Sequence, residues 1–313
     1  GAASGDPRDG HGDTVTSVHV TADGARCLTA SRDGTLRLWD VATGETLQAL
    51  EGHAGAVMAA TLAPDARSAW SLGVHDGLRV WDVDGGCARD VFPHLMGALR
   101  SLAASPSGDR LLVEATSTRG AETMTLLLDA RDGRIVARVP SQRTFGGAAT
   151  FDARGTYLYV VTACLPDGSL RIARIDARTG DAAGDVTLPA TPRERGRERP
   201  CVLVRACATP GVLASGDTDR VSLTRWQLDT RPEAVTRPYG ATLLTAPHVA
   251  VGERIVVGAS RAHIEVCAQQ TGARRRIALP LRHDAVSALC LTPDEMHVIV
   301  GTAMGLVVRY TLA

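Results

Sequence analysis

Apolar residues in this chain come in short runs rich in Val, Leu, Ile and Thr, broken every few positions by turns that contain Gly or Asp. Runs of that length and composition read as β-strands rather than helices. The opening segment is clearest. Its pattern predicts strands at Val15–Val20, Arg26–Ser31, Thr35–Asp40 and Thr46–Leu50. Asp33-Gly34 predicts a tight hairpin between the second and third, because Gly takes positive φ at no steric cost. Four such strands joined by short hairpins make one antiparallel sheet with two apolar faces. A sheet of that kind cannot stand alone and must stack against neighbours.

The unit recurs. Gly10-His11 and Gly52-His53 share an offset of 42 residues with Trp39-Asp40 and Trp81-Asp82. Beyond these two units the Trp position is taken by Leu128, Ile175, Trp226, Cys267 and Tyr310. A second ruler, the first hairpin turn of each unit, falls at Gly24, Ala66, Gly108, Gly155, Gly211, Gly252 and Asp294. A period near 42 residues is the mark of a stacked repeat. The expected architecture is all-β, a seven-bladed β-propeller of four-stranded antiparallel blades forming one domain over 1–313. The blades fall at roughly 10–50, 51–92, 93–139, 140–188, 201–237, 238–279 and 280–313, with 189–200 as a loop insertion.

The G-H…W-D repeat resembles the WD-repeat (WD40) propellers, and the resemblance runs through nearly the whole chain. It implies in each blade a hydrogen-bonded structural tetrad of His, Ser or Thr, Asp and Trp. In the first unit His11, Ser31, Asp33 and Trp39 match it; in the second, His53 and Trp81. There the segment Gly73-Val74-His75-Asp76 reads as one residue short, which leaves Asp76 without a firm place. In the seventh, His283 and Thr302 match while Tyr310 stands for Trp, and units three to six have lost the pattern. Such a tetrad imitates a catalytic triad, but its role is to satisfy buried polar groups: indole N–H only donates and carboxylate only accepts. The family also joins ring ends with an N-terminal strand, for which Gly1–Asp9 has no strand pattern, so a closing strand beyond this sequence is expected. The resemblance further implies a place in a larger regulator, of the apoptosome or NACHT type among others.

Composition narrows the function. The charges balance, with 34 Lys plus Arg against 34 Asp plus Glu. No basic excess exists for a phosphate backbone, so nucleic acid is not expected as the main partner. All the basic residues are Arg, and Asn is absent, so no N-glycosylation acceptor exists. Seven cysteines without a C-x-x-C pair read as reduced thiols of a cytoplasmic protein, not as disulfides or a metal site. No stretch is apolar enough to insert in a membrane, and Gly1–Gly12 does not read as a signal peptide. No nucleophile elbow, phosphate loop or zinc-protease motif occurs. His75-Asp76 and His283-Asp284 read as local pairs.

The expected function is therefore a non-catalytic scaffold or sensor in signalling, without cofactor, that binds proteins or peptides on its loop face. The alternative is a lactonase-like hydrolase with a metal in the central channel, for which the lack of Asn and the scarcity of Glu offer little. One loop stands out: Arg193, Arg195, Arg197 and Arg199 alternate between Pro189 and Pro200, a candidate clamp for an acidic peptide or phosphate. Arg274-Arg275-Arg276 reads instead as a charged blade edge that discourages aggregation.

Overall fold

A computed structural model describes residues 10–92, 98–116, 123–141, 149–165, 169–188, 203–206, 212–216, 224–227, 248–259, 263–268, 270–279 and 284–312. All their regular structure is β. The first sheet holds β1 (Val15–Val20), β2 (Arg26–Ser31), β3 (Leu36–Asp40) and β4 (Thr46–Leu50), and the second β5 (Val57–Leu62), β6 (Ser68–Gly73), β7 (Gly77–Asp82) and β8 (Cys87–Phe92). The third holds β9 (Ala98–Ala104), β10 (Arg110–Thr116), β11 (Thr123–Asp129) and β12 (Ile135–Ser141). In the fourth are β13 (Ala149–Phe151), β14 (Tyr157–Cys164), β15 (Leu170–Asp176) and β16 (Ala182–Leu188). The fifth has β17 (Leu203–Ala206), β18 (Val212–Gly216) and β19 (Thr224–Gln227). The sixth has β20 (His248–Val251), β21 (Ile255–Ala259), β22 (His263–Ala268) and β23 (Arg274–Ala278). The last has β24 (Val286–Leu291), β25 (His297–Thr302) and β26 (Val307–Thr311).

Each sheet is an antiparallel meander in chain order; most of the described neighbours meet through their first strands, and the third and fourth sheets meet through β12 with β14 and β10 with β13. β1 packs on β5, β5 on β9, β13 on β17, β20 on β24, and β24 returns to β1. That arrangement is a β-propeller. The third sheet's last strand, β12, runs on to Ser141. The third strand begins at Leu36 rather than Thr35, whose hydroxyl and amide both bond the Asp33 carboxylate in the preceding turn.

The ladder keeps the sequence's own ruler. Trp39 pairs with Cys27, Trp81 with Ala69, Leu128 with Leu111, Ile175 with Leu158, Trp226 with Leu213, Cys267 with Val256 and Tyr310 with Val298. In every case the partner is the second residue of the sheet's second strand. Mass and chemistry at this position vary while the register does not, because a one-residue slip would turn each strand's apolar set to the wrong face.

The core sits in the seams between sheets. Leu28, Leu36, Leu38 and Leu50 meet Val57, Ala60, Leu62 and Trp81 in the first, and Trp70, Leu72 and Leu78 meet Leu111, Val113 and Leu128 in the next. Each fully buried Leu contributes about 1.5–3 kcal/mol. A repeated bulge ties the seams at their inner edge. The residue in excess is Thr16 in β1 and Ser287 in β24, and the bulge aims each hydroxyl at the next sheet. Thr16 donates to the Val57 carbonyl at 2.8 Å and Ser287 to that of Val15 at 2.6 Å.

Candidate functional site

At one end of the ring, the loops entering the first, second and last sheets lie beside the turns joining the second and third strands of those sheets. Two buried tetrads fix these loops in the first two sheets. In the first sheet, His11 sits in the entering loop with its side chain fully buried. Its Nδ1 lies 3.0 Å from Asp33 Oδ2, and its Nε2 lies 2.7 Å from the hydroxyl of Thr29. The Trp39 indole N–H donates to that same hydroxyl at 2.8 Å.

The relay hydroxyl is thus Thr29, not Ser31. Trp39 pairs with Cys27, so the hydroxyl two residues along β2 on the same face lies beside its ring. Ser31 is four residues along, about 13 Å at strand rise. It caps the turn instead, donating to the Asp13 carbonyl at 3.0 Å and accepting from the Asp33 amide at 3.1 Å.

In the second sheet His53 Nδ1 lies 2.8 Å from Asp76 Oδ1 and Nε2 lies 2.6 Å from the Ser71 hydroxyl, to which the Trp81 indole donates at 2.7 Å. The turn is not short. Leu72 pairs with Leu78 just as Ala30 pairs with Leu36, so both turns hold the same number of residues. The carboxylate has only moved one residue towards the third strand. Gly73 makes that possible, since a Cβ there would run into Asp76 Oδ1 and His53 Nδ1. The signal that finds both relay residues is spacing: Thr29 and Ser71 each stand ten positions before their Trp.

In the last sheet Thr302 does not take the relay place. Thr302 occupies the register of Ser31, pairing with Val286 as Ser31 pairs with Val15, and its hydroxyl accepts from the Leu306 amide at 3.0 Å. The relay position there is Val300, which carries no hydroxyl. His283 lies outside the described residues, as do Arg193, Arg195, Arg197 and Arg199. Arg274, Arg275 and Arg276 are exposed on β23, with Arg276 3.8 Å from the buried Glu265 carboxylate.

Burial holds both tetrad imidazoles below the ordinary histidine value, against the opposing pull of Asp33 on His11 and Asp76 on His53. Burial pushes Asp33 upward, but bonds from the Thr35 hydroxyl and amide and the Gly12 amide outweigh it and hold the carboxyl below its usual range. Each His is therefore neutral near pH 7, with Nδ1–H donating to carboxylate and Nε2 accepting from the hydroxyl. Ser71, His53 and Asp76 have the geometry of a hydrolytic triad, yet Ser71 is 0% exposed and its oxygen already accepts the indole N–H. A nucleophile so covered meets no substrate. Among the described residues no group of three or more His, Cys, Asp or Glu side chains is placed to hold a metal ion.

The tetrads pin a continuous rim. Gly12 and Ala54 amides donate to Asp33 and Asp76 at 2.8 and 3.1 Å. Arg32 and Val74 amides donate to the Thr14 and Ala56 carbonyls. The first entering loop also grips the seventh sheet: His11 N–H donates to the Gly305 carbonyl and Thr14 Oγ1 to that of Ala303. Gly305, at φ +87°, lies where a Cβ would strike the His11 carbonyl, so only Gly allows this approach. On this rim stand Val74, 48% exposed, and Met304 and Leu306, 66% and 38% exposed, three of the five exposed large apolar side chains among the described residues. Asp13, Arg32 and His75 are also exposed in these loops and turns.

Residues 7–40 match the family model described as WD domain, G-beta repeat. The chain is 25% identical over 189 residues to eukaryotic translation initiation factor 3 subunit I of Scheffersomyces stipitis, covering 56% of this chain and 52% of that one. It is 28% identical over 180 residues to nuclear distribution protein PAC1-2 of Uncinocarpus reesii, covering 49% and 39%. Over 39 residues it is 64% identical to the small ribosomal subunit protein RACK1 of Saccharomyces cerevisiae, 12% of each chain. The chain thus spans about half, or less, of the length of these curated relatives. No helix among the described residues is long and apolar enough to cross a membrane.

Proposed function

We infer from this chain's place in the WD-repeat β-propeller family that it is a protein-interaction scaffold, and we propose that partners dock on the rim held by the two tetrads. One observation carries the rim assignment. The entering loops of the first two sheets are fixed by buried hydrogen bonds, while Val74, Met304 and Leu306 on the same rim face solvent. Rigid loops lose little entropy on binding, and exposed apolar side chains among polar ones supply the area a protein partner covers.

The reading is non-catalytic. It is supported by the covered hydroxyls of Ser71 and Thr29, each beside a triad-like His–Asp pair and each 0% exposed. Reduced Cys27, Cys87, Cys267 and Cys290 support a cytoplasmic setting, and a part in a larger signalling or regulatory assembly is the finer form of the same proposal.

The test is affinity capture with the native chain and with a Val74→Asp/Met304→Asp double variant. Both side chains are exposed, so melting temperatures should agree. A defined protein held by the native chain and released by the variant is the expected result. Equal capture by both would move the docking face elsewhere.

A further inference from the structure

Two thiols pack in one apolar cluster at the seam where the last described sheet meets the first. Cys27 on β2 belongs to an apolar cluster with Val20, Trp39 and Ile299, and Cys290 on β24 packs against that cluster beside Val18, Val41 and Val307. Both sulfurs address β1, Cys290 at the Val20 amide and Cys27 at the neighbouring His19 amide. Neither takes part in the tetrads. Seam closure otherwise rests on non-covalent ties: His11 N–H to Gly305, Thr14 to Ala303, Ser287 to Val15 and Arg309 to the Val41 carbonyl.

We propose that Cys27 and Cys290 form a redox staple, oxidised by a hydroperoxide to an inter-sheet disulfide that covalently links the two sides of this seam. The first thiol attacks the peroxide. The O–O bond breaks, one oxygen passes to sulfur as a sulfenic acid and the other leaves as alcohol or water. The second thiol then displaces the sulfenic oxygen as water, and the S–S bond forms. The two thiols lose two electrons and the hydroperoxide gains them.

Burial sets the timing. It pushes the Cys290 thiol up to about 11 and raises Cys27 also, so a closed seam holds almost no reactive thiolate. Oxidation therefore waits for local opening, and the staple captures molecules whose seam has begun to part. The linked cysteines enclose most of the chain, a long loop of the kind whose closure restricts the unfolded state most.

The full chain is treated with hydrogen peroxide, its remaining thiols alkylated, and the protein digested without reductant. The expected product is a peptide pair joined through Cys27 and Cys290. With it should come a higher melting temperature and exchange of the His11 amide slowed by roughly tenfold or more, both reversed by dithiothreitol. Cys290→Ala should abolish linkage and shift together, and Cys87→Ala should leave both intact. Recovery of Cys27 and Cys290 unlinked, or oxidised singly once exposed Cys87 is consumed, overturns the proposal. So does a linked species that melts no higher than the reduced protein.

Discussion

The first two sheets and the last share a backbone register but hold their loops by different means. Val15 to Ser31 and Val286 to Thr302 pair in the same way, bulge included. In the first two sheets a hydroxyl at the relay position ties His to Trp. In the last that place is Val300, packed in an apolar cluster with Val257, Ile264 and Val298. The apolar seam alone therefore suffices to make a blade, and the tetrad adds something separate: it fastens the loop at one end of the sheet. In the last sheet fastening falls to other groups. Thr14 reaches across to Ala303, and the Asp284 carboxylate accepts the Met304 amide at 3.0 Å.

The largest effect that separates the two designs comes from the aromatic side chain. Trp81 is fully buried and donates its N–H, so Trp81→Ala should cost about 3–5 kcal/mol and lower the melting temperature by many degrees. Tyr310 fills the same register half-buried, and Tyr310→Ala should cost roughly 2 kcal/mol or less. Equal losses in thermal or denaturant unfolding would show that the tetrad position has no special weight.

Next comes the relay itself. Thr29→Val keeps shape but strands the Trp39 N–H and the His11 Nε2, a loss of about 1–3 kcal/mol. Ser31→Ala removes a turn cap and should cost roughly 1 kcal/mol or less. Denaturant midpoints for the pair decide the matter: a larger loss at Ser31 would restore the assignment first read from sequence.

That misreading shows what sequence order conveys and what it hides. The repeat, the sheet register and the paired residues His11, Asp33 and Trp39 follow from a period and from motif spelling, which a linear pattern carries. The choice between Thr29 and Ser31 depends on which residue lies across from the indole, and only the ladder offset decides that. Asp76 was obscured for a similar reason, because its fit depends on the missing side chain of Gly73 rather than on turn length. The shared offset of ten from Trp was present in the chain, but it gains meaning only after the pairing of β2 with β3 is known. The Arg193–Arg199 loop and His283 lie outside the described residues and bear on none of this.

Acid should act on the tetrad sheets earlier than on their carboxylates. Burial lowers the imidazoles of His11 and His53, and lowers His19 and His248 to about 4. The unfolded chain then binds protons that the folded chain refuses, so stability is complete above about 6.5 and falls as pH drops towards 4. Asp33 and Asp76, held below their usual value, add a further loss only below about 4. Melting curves from pH 7 to 4 should show the decline, and His19→Leu should flatten it. A flat profile in the native chain would mean that these rings are protonated as readily folded as unfolded.

The smallest effect tests how the last sheet is held without a tetrad. Glu295, in the turn between β24 and β25, takes φ +58°, which costs a non-glycine residue about 1–2 kcal/mol. Its carboxylate accepts the backbone amides of Glu253, Arg254 and Ile255 at the start of β21, clipping the sixth sheet to the seventh. Charge-assisted bonds of this kind are worth about 1.5–3 kcal/mol. Glu295→Gly loses the clip but relieves the backbone strain, so about 1–2 kcal/mol of the loss is returned and the melting temperature should fall by less than the clip alone would cost. Glu295→Ala loses the clip and keeps the strain, and should fall further. Equal melting of the two variants would remove backbone strain from the account, and an unchanged Glu295→Ala would mean that the apolar seam alone holds these sheets together.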